Sequence, residues 1–220
     1  MNFKMIGTGI AAIAMVAVSF AAGAADMPVK GYRSVIAYYN WTGFYVGING
    51  GYGWGRADWV TPPPVSFNTS GYLIGGTVGF NYQTGSIVWG IEGDLDYSTV
   101  RGTGDPAICG TPTCETRMLW IGTARARIGY AFDRWLPFIT GGAAIAGLRH
   151  TGNDASETKT KLGWTAGVGL EYAFMRAWSA KIEYLYTDLG TTTCTTCFTG
   201  FPQDIRYRVN MVRLGVNYRF

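Results

Sequence analysis

The chain has 220 residues, one ordinary domain's worth, and a net charge of +4 from 18 Lys and Arg against 14 Asp and Glu. Only 15% of it is charged, and the cations form no run interleaved with aromatics, which excludes a nucleic-acid footprint; a soluble domain carries about 25% charged residues. The 32 Gly, 8 Trp, 14 Tyr and 11 Phe suit instead a sheet with one face in lipid and girdles of aromatic side chains at two interfaces.

The start of the chain reads as a targeting segment. Residues 1–4 are a short basic opening, residues 6–20 are apolar and small, and Ala22-Gly23-Ala24 fits a small-x-small cleavage site. Residues 1–24 are therefore expected to be a signal peptide. The alternative, a membrane-anchoring helix, needs about 20 apolar residues and this stretch is short for it. No later segment supplies such a run, which excludes a helical inner-membrane protein. Residues 25–42 have no clean period and read as a periplasmic lead-in.

From residue 43 onward apolar side chains recur with period two, the signature of a strand, eight times over. Residues 43–55 place Phe44, Val46, Ile48, Tyr52 and Trp54 on one face and mostly glycine on the other. Residues 72–82 alternate in the same way. Residues 87–97 are the clearest strand, with Ile87, Trp89, Ile91, Leu95 and Tyr97 opposing Glu92, Asp94 and Asp96. In residues 116–132, Met118, Trp120, Ala124, Ala126, Ile128 and Tyr130 oppose Arg125 and Arg127. Residues 135–148 alternate weakly, because residues 141–146 are small on both faces. Residues 159–174 set Leu162, Trp164, Val168 and Leu170 against Lys161 and Glu171; residues 177–189 set Trp178, Ile182 and Tyr184 against Lys181 and Glu183. The last strand sets Val212, Leu214, Val216, Tyr218 and Phe220 against Arg213, Asn217 and Arg219. Its apolar parity slips before Met211, which reads either as a bulge or as a part standing above the membrane.

The connections alternate in length: short near residues 83–86, 133–134 and 175–176, long and polar at 56–71, 98–115, 150–158 and 190–204. An outer-membrane barrel has short periplasmic turns and long external loops. The expected fold is thus all-β: an eight-stranded antiparallel up-and-down transmembrane β-barrel over residues 43–220, in a Gram-negative outer membrane. The competing reading is a soluble barrel whose apolar face is its core. Eight strands enclose a lumen just wide enough for side chains. Glu92, Asp94, Asp96, Glu171 and Glu183 with Arg125, Arg127, Lys161, Lys181 and Arg213 are expected to fill it as an ion-pair network and leave no open pore.

Four cysteines form two close pairs, Cys109/Cys114 and Cys194/Cys197, in the second and fourth long loops. In an exported chain they are disulfide candidates, within or between pairs. One Cys-x-x-Cys and a distant lone histidine do not make a metal site. The cluster Glu92, Asp94, Asp96 superficially resembles a catalytic carboxylate group, but facing Arg125 and Arg127 it reads as structural. No nucleophile–base arrangement accompanies it, so no enzyme is expected. Arginines near strand ends (Arg101, Arg117, Arg149, Arg206, Arg208) are placed either to meet lipopolysaccharide phosphates or simply to be solvated.

Ala25-Asp26-Met27-Pro28, the run Trp41-Thr42-Gly43-Phe44-Tyr45-Val46-Gly47 with Gly50-Gly51-Tyr52-Gly53-Trp54, and the closing Val216-Asn217-Tyr218-Arg219-Phe220 resemble the alphaproteobacterial 25/31-kilodalton outer-membrane protein family of opacity-like, porin-annotated small barrels. The resemblance implies an abundant, surface-exposed, often immunogenic barrel. It also implies that Phe220, with Tyr218 two before it, is the signal read by the barrel-assembly machinery. Family members described as porin-like, adhesive or haemin-binding supply the alternatives to a structural role with four surface loops: passive transport of small solutes, contact with host surface molecules, or haemin binding. In the last, His150 would be the axial ligand, with Trp59, Phe67 and Phe201 stacking on the ring. No other cofactor is expected.

Overall fold

The computed structural model describes residues 39–60, 65–104, 115–151, 156–194 and 203–220. These form β1 (Gly43–Val60), β2 (Val65–Thr84), β3 (Ile87–Ser98), β4 (Arg101–Thr103), β5 (Glu115–Tyr130), β6 (Trp135–Thr151), β7 (Ser156–Ala173), β8 (Trp178–Cys194) and β9 (Gln203–Arg219). β1, β2, β3, β5, β6, β7, β8 and β9 pair antiparallel in that order, and β9 returns to β1 from Tyr45↔Arg219 to Val60↔Asp204, so the sheet closes on itself. The three-residue β4 continues β3 beyond Thr99–Val100, where the Val100 amide donates to Ser98 Oγ at 3.1 Å, and it bridges β2 and β5. The wall therefore has eight spans. Closure satisfies every strand edge, which a bilayer demands because acyl chains offer no hydrogen-bond partner.

Tight turns lie at one end. Gly85 at φ +60° turns β2 into β3, and Asp133 at φ 52° turns β5 into β6; both are left-handed positions that glycine and aspartate accept at little cost. The cysteine readings fall largely outside the described residues: Cys109, Cys114 and Cys197 are beyond them, and Cys194 is described only as the last position of β8. Residues 1–38, including the expected signal peptide, are outside them as well.

The apolar face points out. Trp89 is 54% and Trp164 is 53% exposed, along with Phe44, Ile48, Ile91, Leu162, Leu214 and their neighbours on every strand. The soluble-core alternative is thereby overturned for this part of the barrel.

Three expectations need correction. The strands run further toward the loop end than polarity suggested; most of residues 56–71, expected as a loop, is the paired top of β1 and β2. At about 3.3 Å per residue, the 18 residues of β1 extend roughly 60 Å, well beyond the 9–11 residues that cross a bilayer. Secondly, of the two readings of the β9 parity slip, the bulge is absent against β1, which leaves the other, a part standing beyond the apolar band. Its alternation is unbroken and its polarity reverses: Ile205, Tyr207, Val209 and Met211 are buried inside, whereas Asp204, Arg206 and Arg208 point out. Thirdly, the real bulges are elsewhere. One in β5 between Met118 and Trp120 turns Met118 inward, where it is fully buried, instead of onto the outer face. Another lies in β8 between Asp188 and Thr191, with Gly190 at φ +66°.

Candidate functional site: the filled barrel interior

Inward positions fill the barrel in three layers. At the turn end Trp41, Val88, Ala131, Leu136 and Ala173 form a small apolar cluster. The Arg219 guanidinium stacks over the Tyr39 ring at 4.6 Å and the Trp41 ring at 4.8 Å, and donates to the Asn40 carbonyl at 2.6 Å. Trp41 is anchored through Nε1 to the Asp133 carbonyl at 3.2 Å and through its amide to Gln83 Oε1 at 2.7 Å. The residues just before β1 thus close this mouth.

The middle layer is ionic. Arg125 on β5 donates to Glu92 Oε1 at 2.5 Å, Asp94 Oδ2 at 2.7 Å and Glu183 Oε2 at 3.0 Å. Arg213 on β9 reaches across to Asp94 at 2.7 Å and Asp96 at 2.5 Å, and grips Glu183 Oε1 with Nη2 at 2.6 Å and Nε at 3.0 Å. Arg127 holds Glu171 at 2.8 Å, and Lys181 holds Glu92 at 2.8 Å. All nine side chains are buried. Each guanidinium ties carboxylates on different strands, so the network cross-braces the wall through its centre. Buried charge costs several kcal/mol per ion unless every partner is present, about 3–5 kcal/mol appearing when one is removed.

Hydroxyls and an amide that sequence reasoning did not single out complete the layer. Tyr45 Oη donates to Glu92 at 2.7 Å, Thr123 to Asp94 at 2.7 Å, Ser179 to Glu171 at 2.5 Å and Asn217 Nδ2 to Glu171 at 3.0 Å. For Thr123, Ser179 and Asn217 the signal was parity, which they share with the charged residues of their own strands; Tyr45 shares its face with the glycines of β1. Facing glycines make the room: a Cβ at Gly75 would meet Asp96 Oδ1 at 2.1 Å, and one at Gly79 would meet Tyr45 Oη at 2.3 Å.

Lys161 does not join the other nine. Its amine donates to the Thr191 carbonyl at 2.9 Å. It shares a face with Glu171 but lies ten positions away on β7, roughly 33 Å of extended chain. Parity fixes the face of a residue and not its height.

The third layer, toward the loops, is apolar: Trp59, Leu73, Met118, Ile121, Leu148, Leu185, Ile205, Tyr207 and Met211 pack together inside the barrel. His150 belongs to this layer and not to a loop. It is 1% exposed, near the end of β6, with Nδ1 3.1 Å from Thr116 Oγ1 and its ring edge-on to Trp59 at 6.2 Å. Trp59 and Phe67, expected to stack on a haemin ring, pack instead against each other at 6.4 Å in this core; Phe201 lies outside the described residues. The haemin arrangement read from the sequence required a loop-borne histidine, and the buried setting of His150 overturns it. Here the barrel has the polarity of a soluble protein, greasy inside and charged outside.

At the chain's end Tyr218 and Phe220 both face out, their rings edge-on at 5.2 Å, with Trp178 against Tyr218 at 5.1 Å.

The family described as "Outer membrane protein beta-barrel domain" matches residues 10–220. The chain is 37% identical to the 31 kDa outer-membrane immunogenic protein of Brucella melitensis, over 83% of this chain and 85% of that one. It is 32% identical to the 22 kDa outer membrane protein of Rhizobium leguminosarum bv. viciae, over 90% and 83%. Among solved structures, the outer membrane protein OprG from Pseudomonas aeruginosa superposes with a TM-score of 0.52 at 11% identity, covering 81% of this chain and 97% of that one.

Proposed function

Because the chain belongs to the outer membrane protein β-barrel domain family and resides in the outer membrane, we propose that it acts there as a closed structural barrel that presents four surface loops and contributes to envelope integrity. The observation that carries this reading is the filled interior. An apolar seal, an ionic layer of nine side chains and an apolar core occupy successive levels of the lumen, which argues against a solute path and for a rigid strut. The relative from Brucella is named immunogenic, which supports exposure of the loops to the outside.

The remaining assignments belong to the same reading. Residues 1–24 direct export, the cysteines close loop disulfides in the oxidising compartment, and Tyr218 with Phe220 forms the mark read by the assembly machinery. Surface loops held on such a barrel are also suited to contact host molecules.

Two measurements test the proposal. Purified protein in planar bilayers is expected to give no single-channel steps, and cells lacking the chain are expected to leak periplasmic protein and to become sensitive to detergents. Steady ion conductance, or an unchanged envelope after deletion, overturns it.

A further inference from the structure

The outer wall carries a row of arginines at one height. Ser70 on β2 faces Arg101 on β4, Arg101 faces Arg117 on β5, and Arg117 faces Arg149 on β6. Ser70, Arg101 and Arg149 are exposed and Arg117 is half-buried, all at outward positions. Like charges directly opposite on paired strands destabilise a sheet, so three in a row call for a counter-charge.

Elsewhere on the rim that need is met internally: Arg206 binds Asp188 at 3.0 Å and Arg208 binds Asp58 at 2.7 Å. Among the described residues, Arg101, Arg117 and Arg149 have no carboxylate partner; the Nε of Arg149 has only the Thr158 hydroxyl at 3.3 Å, and the Nε of Arg117 is buried without a hydrogen bond. Arg101 and Arg117 overhang a depression of about 500 Å³ that Tyr52 and Tyr72 also line, with the Ser70 hydroxyl at its edge.

The height of the row defines the ligand. Two positions toward the turn end on β2 stands Tyr72, 71% exposed, and just past the β5 bulge stands Trp120, both at the upper edge of the apolar band. The row therefore lies where acyl chains give way to headgroups on the loop side. An anion held at that level, with rings for its sugars to lie against, is a phosphorylated glycolipid. We propose that Arg101, Arg117, Arg149 and Ser70 form a binding site for a phosphate group of the outer-leaflet glycolipid. This inference rests on the barrel's place in the outer membrane and not on its proposed structural role. Guanidinium forks match phosphate oxygens two at a time, which lysines at the same positions would not.

The test uses full-length protein refolded in detergent and bisphosphorylated lipid A, dephosphorylated lipid A and inorganic phosphate as probes, with binding read by native mass spectrometry. The variant Arg101→Gln/Arg117→Gln/Arg149→Gln is expected to lose at least tenfold in affinity for bisphosphorylated lipid A. The charge-matched variant Arg56→Gln/Arg206→Gln/Arg208→Gln is expected to stay within about twofold of the parent. Parent protein should bind dephosphorylated lipid A as weakly as the first variant binds the phosphorylated form. Folding of each is checked by the gel shift between unboiled and boiled samples; if the triple variant does not fold, Arg117→Gln alone should lose several-fold. Equal losses in both triple variants, or full displacement of lipid A by millimolar inorganic phosphate, overturn the proposal.

Discussion

Glu92 and Arg125 stand directly opposite each other on β3 and β5, and the guanidinium of the one meets the carboxylate of the other at 2.5 Å in the middle of the barrel. The same guanidinium also serves Asp94 and Glu183. Replacing Arg125 by methionine keeps the volume and strands three carboxylates short of a partner. Loss of about 3–5 kcal/mol is expected, read as a lower urea midpoint for refolded protein. An unchanged midpoint would mean that the network does not hold the wall.

Asp96 should behave differently from the other carboxylates. The layer holds five acids, Glu92, Asp94, Asp96, Glu171 and Glu183, against four bases, Arg125, Arg127, Lys181 and Arg213. Asp96 has one cationic partner, and its Oδ1 is buried without a hydrogen bond. Asp96→Asn removes the excess charge and keeps the shape. It is expected to cost less than about 1 kcal/mol, while Glu183→Gln costs several. Equal losses in the two urea titrations would refute this ordering.

Gly79 is needed for space. With a Cβ there placed 2.3 Å from Tyr45 Oη, Gly79→Leu forces the tyrosine off Glu92 and its ring into the ionic layer. The fraction of protein reaching the fast-migrating, heat-modifiable form is expected to fall severely. Gly76 on the same strand faces outward with no heavy atom nearer than 3.7 Å to an added Cβ, so Gly76→Ala should assemble normally.

The upper core should respond like a soluble one. Leu148 is fully buried inside the barrel. Leu148→Ala is expected to cost about 2–5 kcal/mol and to expose the loop end to protease added to intact cells. Cleavage no faster than in the parent would show that this layer is not cooperative with the rest.

His150 supplies a pH dependence. It lies beyond the apolar band, level with Arg149 on the outside. Burial, opposed by Glu157 and aided by Lys159 and Lys161, pushes its pKa down to about 4. In the unfolded chain the imidazole titrates near 6.5, so the folded state holds it neutral. Its contribution is complete above about pH 6.5 and declines as the pH falls toward 4, by at most ~1.4 kcal/mol per unit. Urea midpoints at pH 7 and pH 4.5 should differ less in His150→Gln than in the parent. Identical differences would remove His150 as the titrating group.

Period-two alternation in Ile87 to Tyr97, and again in Leu162 to Phe174, already contains the strands, their number and the face each side chain takes. Side-chain direction along a strand is a local property, so no tertiary information is needed for it. For the same reason Glu92, Asp94, Arg125 and Arg213 could be grouped from spacing alone. Height along the barrel axis is not local. It depends on how the strands are set against one another, and that arrangement decided that Lys161 reaches the Thr191 carbonyl instead of the ionic layer, that a bulge turns Met118 inward, and that Ile205 to Met211 pack in an apolar interior beyond the apolar band. It also aligned Arg101, Arg117 and Arg149, which are 16 and 32 positions apart in the chain and become neighbours only when β4, β5 and β6 pair in this register.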